Sequence, residues 1–516
     1  MTRFKHREAT LSSLFTIHCV PQNVIGSDNN TEPGIIPAQI IDRVEIIKGA
    51  ASVAWGQGLG GVVNVITKSG NTERALSGAG QASLGERLTS DLTGELGGTL
   101  KRFGYYLSAG NLHSKGLITG TRVNFNHLFG KFTYQLPNKG SIKLWGDFRD
   151  SKVGLEDIPS KDYRDSGSSR YAAGSIAVNT PLADKLSLDV NGWLGQRRLY
   201  TQWGAFTTTD LFRDLTTREN FSGARSRLMW GDSAANLAVG LEYENTVDKV
   251  SDLVTPELNY SSRLTHWGTF LSGSYDLGPL TILPGFRYDT YSTYDNASTS
   301  SLGATFRLTD STVLRAYAAN GYSLPSITTV GNKKLQKLWT VQSGIESTIV
   351  PYLWLKGMYF YNDLSDIEAQ DGSLFGATKQ GVEVEAKSSP FFGFSVSGGY
   401  TYTIARNKAT GEELKSDGAN NCPPHAFKAA LDYSNNKLGL HGKLFGNYVM
   451  WDSGQQVSKD RTIIWDLHLN QQLFPGKEFS PELFFSVHNL FNGSQYLSET
   501  KPNAPRWIEG GVRFKF

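Results

Sequence analysis

Phe392-Gly-Phe-Ser-Val-Ser-Gly-Gly-Tyr-Thr-Tyr-Thr-Ile404 divides by parity. One set of positions holds Phe392, Phe394, Val396, Gly398, Tyr400, Tyr402 and Ile404, and the other holds Gly393, Ser395, Ser397, Gly399, Thr401 and Thr403. Successive side chains of a strand point to opposite faces, so this stretch predicts a strand with one greasy side and one small, polar side. The same division recurs at Ile463, Trp465, Leu467 and Leu469 against Ile464, Asp466, His468 and Asn470, and at Val382, Val384 and Ala386 against Glu383, Glu385 and Lys387.

Working outward, the two-residue period holds from residue 76 to the end and resolves into about 22 segments, most of them long for soluble strands. Tight connectors, such as Leu136-Pro-Asn-Lys-Gly140, Asp276-Leu-Gly-Pro279, Leu308-Thr-Asp-Ser311 and Ser434-Asn-Asn-Lys437, alternate with long polar ones at 151–167, 247–261, 323–336, 363–375, 406–421 and 492–505. Short turns on one rim and long loops on the other predict an all-β fold, a transmembrane antiparallel β-barrel. A strand with an unpaired edge is not tolerated in hydrocarbon, so the sheet must close. Trp145, Trp193, Trp230, Trp267, Trp354, Trp451 and Trp507, near strand ends, are expected to form interfacial girdles.

Composition narrows the function classes. With 51 basic and 48 acidic residues in 516, the net charge of +3 gives no field for a nucleic-acid partner. Cys19 and Cys422 are too few for a disulfide framework and lack metal-ligand spacing. The mean hydropathy is −0.32, and no apolar run reaches the length of a membrane-spanning helix, but a β-barrel leaves no hydropathy peak. Arg3, Lys5 and Arg7 precede a short apolar stretch, Leu11 to Val20, that is broken by Ser12, Ser13 and His18 and is a poor secretory signal.

The segment Ile40-Ile-Asp-Arg-Val-Glu-Ile-Ile-Lys-Gly-Ala-Ala-Ser-Val-Ala-Trp-Gly-Gln-Gly-Leu-Gly-Gly-Val-Val-Asn-Val-Ile-Thr-Lys68 reads differently. It resembles the closing stretch of the plug domain in TonB-dependent outer-membrane receptors of the siderophore and cobalamin type, through Lys48, Gly49, Trp55, Gly56, Gly60, Gly61 and Asn64. Ala319-Asn-Gly-Tyr-Ser-Leu-Pro-Ser326, Gly381-Val-Glu-Val-Glu385 and Val487-His-Asn-Leu-Phe-Asn492 resemble motifs of that family's barrel. The terminal Phe516 resembles the signal read by the barrel-assembly machinery. Two departures stand out: Ala50 replaces the family's plug proline, and Lys334-Leu-Gln-Lys337 replaces a barrel motif.

The resemblance implies two units, a partial plug over residues 1–70 and a 22-stranded barrel over residues 76–516. The front half of the plug, the TonB box and the signal peptide are expected to be absent from this chain. It also implies that plug arginines pair with barrel glutamates, which on this chain points to Arg43, beside Glu45, and to Glu383 and Glu385. Ligand contacts are expected from outer loops, with Tyr163, Arg164, Trp203, Phe206, Tyr260, Tyr294, Trp451, Arg461 and Tyr496 as candidates, since aromatics and arginine suit a bulky, oxygen-rich or planar chelate.

No catalytic residues, cofactor or metal site are predicted. Gly56-Gln-Gly-Leu-Gly-Gly61 matches a dinucleotide-binding glycine pattern, but a β-branched strand rather than a helix follows it, so a tight turn in the plug is expected. The nine histidines show no short metal-binding spacing, and neither a serine-hydrolase elbow nor a phosphate loop occurs. The function implied is uptake of a metal chelate through the bacterial outer membrane, a ferric siderophore first and cobalamin second, driven through TonB–ExbB–ExbD. The alternative of another class is a non-energised remnant or a passive pore.

Overall fold

Apolar side chains that face outward along every strand need lipid, and polar ones that face inward need a wet or plugged lumen. The computed structural model meets both needs with a closed antiparallel barrel of 22 strands that runs from Ser77–Gly85 to Trp507–Lys515. It describes residues 13–24, 36–118, 120–158, 162–325, 334–368, 373–415, 423–452, 462–477, 479–495 and 503–516. The first and last strands close the wall, with Gly85 opposite Glu509 and Ala79 opposite Lys515. Phe516 completes the seam by exchanging backbone hydrogen bonds of 3.0 Å with Gly78.

The outer surface is a belt of exposed apolar side chains that includes Leu96, Leu144, Leu194, Val239, Leu241, Leu271, Leu302, Val382, Val384 and Phe485. A soluble protein does not expose so continuous a patch, whereas a bilayer covers it. Neighbours of opposite parity point inward and are buried, as Ala238 and Glu242 are beside Val239 and Leu241.

All 22 predicted segments are strands, with one systematic difference. Connectors read as loops at 151–167, 247–261 and 363–375 are largely hairpins, because the strands Ser141–Ile158, Tyr163–Ala183, Ala235–Asp252, Tyr260–Leu277, Leu353–Glu368 and Leu374–Ser388 run on past the apolar belt. Above the bilayer both faces meet water, so the alternation fades while the hydrogen-bond ladder continues. Conversely, Phe392 and Gly393 lie at positive φ in the turn before Phe394–Asn407, outside the strand predicted for them.

The girdle expectation needs an outward ring, which Trp230 and Trp267 present. It fails for Trp145 and Trp193, which are buried inside the lumen, since their neighbours Leu144 and Leu194 take the lipid face. Both pack with Val20, Ile40, Tyr106 and Phe129.

That cluster belongs to a second unit inside the barrel, a four-stranded sheet. Its strands are β1 (Leu14–Ile17), β2 (Val20–Pro21), β3 (Ile41–Lys48) and β4 (Gly61–Thr67), in the order β2-β1-β4-β3. β4 pairs parallel with β1 and antiparallel with β3. Leu14–Ile17 forms an inner strand of this sheet, between β2 and β4. A single helical turn, α1 (Ser52–Trp55), projects between β3 and β4. The sheet packs on the wall at a second place through Ala50 and Leu59 against Ala319, Leu338 and Leu364.

Candidate functional site: the plug, its seat and the outer mouth

The plug turn depends on glycine where the backbone is left-handed. Gly56 has φ +74° and Gly61 φ +123°, and a Cβ on Gly61 would overlap the Ile47 carbonyl oxygen. Gly49, at φ +81°, ends β3, and Gly60 lies in the turn that leads into β4. Asn64 is buried and ties the sheet together: it accepts a hydrogen bond from Thr16 Oγ1 at 2.8 Å and donates one to Glu45 Oε2 at 3.0 Å.

The structure does not bring Arg43 to the barrel glutamates. Arg43 lies on the exposed edge strand and pairs with Glu45 at 3.0 Å and Asp42 at 3.3 Å, both in the plug. Residues two apart on a strand share a face, so Arg43 and Glu45 meet each other before either can meet the wall. A plug cation that does reach the wall is Lys48, with Nζ 2.6 Å from Glu383 Oε2. Glu385 shares the inward face of Glu383, two residues nearer the tight-turn rim. A second such pair joins Lys68 to Glu95 at 2.8 Å.

Among the described residues, most other seating contacts have the opposite polarity, with wall groups donating to plug oxygens. Arg149 donates to Gln22 Oε1 at 2.8 Å, Arg197 to the Asn23 carbonyl at 3.1 Å and Lys131 to the Thr67 carbonyl at 3.1 Å. Tyr317 donates to the Ala50 carbonyl at 2.7 Å, and the Tyr322 N–H to Ser52 Oγ at 3.2 Å. His18 is enclosed here, with Nε2 2.6 Å from Thr67 Oγ1. Burial first, and then the positive charges of Lys131, Lys143 and Arg43, push its pKa down to about 3. The neighbouring Cys19 thiol is pushed up, chiefly by burial.

Beneath α1 lies a buried charge network that the sequence did not single out. Glu242 accepts from Arg225 and Arg287, each at 2.8 Å, Arg287 also binds Asp289 at 2.8 Å, and His266 joins Asp289 at 2.7 Å and Glu244 at 3.3 Å. The Trp55 ring faces Arg225, whose guanidinium carbon is 5.9 Å from the ring centre, and Gly56 rests on Arg287. A narrow cavity between plug and wall is lined by Cys19, Trp55, Gln57, Glu244, His266 and Tyr291. The only sequence signal was parity: Glu242 with Glu244, and Arg287 with Asp289, stand two apart on inward faces.

At the mouth, four of the predicted contact residues gather on the tall hairpins. Arg164 sits opposite Gly204 and Asp165 opposite Trp203 in one register, so Tyr163 and Trp203 share one face of the hairpin and Arg164 takes the other, while Phe206 is held beside them by its N–H on the Asp162 carbonyl. Phe206 is exposed, and Arg213 lies 5.9 Å over the Trp203 ring. Tyr260 donates to Asp248 at 3.4 Å. Tyr294 is part of a buried cluster with Leu264, Tyr322 and Leu335 and donates to the Pro325 carbonyl at 3.3 Å, so it packs the root of a loop. Trp451 is also buried. Arg461 and Tyr496 lie outside the described residues.

The comparisons agree with this geometry. Residues 70–490 match the family described as TonB dependent receptor-like, beta-barrel. The vitamin B12 transporter BtuB of Vibrio vulnificus (strain CMCP6) is 22% identical over 308 residues, which cover 58% of this chain and 50% of that protein. The chain therefore spans half the length of this curated relative. Among solved structures, the ferripyoverdine receptor of the Pseudomonas aeruginosa outer membrane aligns with a TM-score of 0.81 at 15% identity, covering 98% of this chain and 80% of that one. The FrpB iron transporter of Neisseria meningitidis (F3-3 variant) gives 0.79 at 15% identity, covering 98% and 92%. At such identities the likeness is one of fold. A family match along most of the wall, on a 22-stranded barrel that closes around a seated plug sheet, leads to one conclusion: the chain belongs to the TonB-dependent receptors of the outer membrane, a family of transport receptors and not of enzymes.

Proposed function

We infer that this chain is the barrel and plug of a receptor that takes up a metal chelate, a ferric siderophore first, with energy borrowed through TonB–ExbB–ExbD. The observation that carries the reading is the position of α1. The plug tip reaches the outer end of the strand Thr312–Ser323, where Ser52 meets Tyr322, and the tall hairpin with Tyr163 and Trp203 on its inner face belongs to the same rim. A ligand bound between them would touch wall and plug at once, so binding and plug rearrangement become coupled on one element. The solved likenesses include receptors whose names state ferric ligands, which supports the siderophore class. Cobalamin is the second reading, supported by the BtuB relative.

The test is a titration of the refolded chain with a ferric siderophore, its iron-free form and cyanocobalamin, followed by tryptophan fluorescence, with conductance recorded in planar bilayers. Saturable quenching by the ferric form alone is expected from a closed barrel. Cobalamin binding would replace the first reading with the second. Large, steady currents indifferent to all three would make the chain a passive pore.

A further inference from the structure

Two histidines 20 positions apart become neighbours through strand register. Leu467 faces Val487, and in the same ladder Asp466, His468, Ser486 and His488 all point to the lumen, while Leu469 and Phe485 face lipid. The next strand adds Trp507 opposite His488 and Glu509 opposite Ser486. One ligand atom each from Asp466, His468 and His488 lies within 4.8 Å of the others. The imidazoles stand edge to face with centroids 5.2 Å apart.

We propose that Asp466, His468 and His488, with Glu509 beside them, form a binding site for a divalent first-row transition ion of the zinc or copper type. The donor set fits that class: two imidazole nitrogens and carboxylate oxygens suit zinc and copper, whereas calcium and magnesium prefer all-oxygen shells. Two negative side chains also supply the charge a dication needs. Lys443, which faces His468 from the preceding strand, is turned to Asp432 at 3.2 Å.

A second observation points the same way. Among the described residues His488 Nε2, a buried atom, has no hydrogen-bond partner, with Glu509 Oε1 the nearby anion at 3.6 Å, and its Nδ1 lies 3.9 Å from Asp466 Oδ2. These separations are too long for hydrogen bonds but right for groups that flank an ion. Donors around a tetrahedral ion stand about 3.4 Å apart, so side-chain rotations of about 1 Å would close the site.

The surrounding groups already hold the ligands in place. Ser486 Oγ engages His468 Nδ1 at 3.0 Å, which leaves Nε2 for an ion. The Asn489 N–H donates to Asp466 Oδ1 at 2.7 Å, and Trp507 stacks on His488 with centroids 3.9 Å apart and planes 9° from parallel. Such outer partners are what a metal centre uses to fix its ligands. A bound ion would clip two consecutive strands at the point where the 489–506 connector leaves the wall, with a third strand supplying Glu509.

The test uses the full chain refolded in detergent micelles, stripped with chelator and titrated with Co2+ as the spectroscopic probe. One equivalent should give visible ligand-field absorption that Zn2+ bleaches. His488→Gln should weaken Co2+ binding about 100-fold and Asp466→Asn about 10-fold, the latter keeping the bond from Asn489. Heat-modifiable mobility in gels reports whether each variant is folded. Absence of the absorption in the folded wild type, or equal Co2+ affinity in folded wild type and both variants, would overturn the proposal.

Discussion

Lys48 Nζ lies 2.6 Å from Glu383 Oε2, a contact that joins plug to wall across 335 positions of sequence. The lysine side chain is 56% exposed and the glutamate 18%, so this pair works in a wet lumen. Exposed pairs contribute about 0–1 kcal/mol. Lys48→Met and Glu383→Gln, combined in a double-mutant cycle on urea unfolding, should therefore give a coupling below about 1 kcal/mol. A much larger coupling would mean that the lumen excludes water at this point.

The network under α1 should respond differently. Arg287 is wholly buried between Glu242 and Asp289, and Arg287→Leu leaves two carboxylates facing each other without their shared cation. Breaking a buried pair costs about 3–5 kcal/mol. Urea unfolding in micelles should show a loss several-fold greater than that of Lys48→Met. Equal losses would contradict the burial described for this site.

Gly61 tests the plug turn. Alanine there meets both an unfavourable φ of +123° and the Ile47 carbonyl oxygen. The expected cost is about 1–3 kcal/mol, confined to the pairing of β3 with β4. Limited proteolysis should cut the plug of Gly61→Ala faster, while the barrel keeps its heat-modifiable mobility. Unchanged cleavage would show that the turn relaxes at no cost.

Acid should loosen the plug through His18. Its pKa is about 3 when enclosed and 6.5 in the open chain, so the open form binds the extra proton between those values. The stabilisation is complete above pH 6.5 and falls through the window down to about 3, at about 1.4 kcal/mol per pH unit where the proton difference is complete. Hydrogen exchange of β1 and β4 amides against pH should show this slope in the wild type and a flatter one in His18→Gln. Identical slopes would assign the acid response to another group.

Leu241 tests the membrane assignment. It faces outward near mid-strand, and Leu241→Arg should destabilise the folded barrel in lipid by about 2–4 kcal/mol. A change near zero would place that face outside the hydrocarbon.

The barrel was legible because membrane strands repeat one rule, greasy against polar, some 22 times, and closure follows from the cost of an open edge. The seat was legible only in kind. That a plug cation meets Glu383 was readable, but Lys48 in place of Arg43 depends on where the edge of a sheet approaches the wall, which alternation does not encode. Glu242, Arg287 and Asp289 were hidden by the same rule that revealed the barrel, since an inward charge looks alike whether it meets water or another charge. Trp145 and Trp193 were misplaced because proximity to a strand end says nothing about which face a ring takes. His468 and His488 carry no local spacing, and only the register of neighbouring strands joins them.

The wall is not level. Strands between Ser141 and Leu277 run 18 to 21 residues, whereas those between His425 and His488 run 7 to 11. At strand rise and barrel tilt, ten residues lift one side on the order of 25 Å above the other. The strand wall is thus cut like a scoop. On that tall side Tyr163 and Trp203 share the face that Arg197 turns to the plug, so the high wall is a one-sided rim whose aromatic rings look across the lumen.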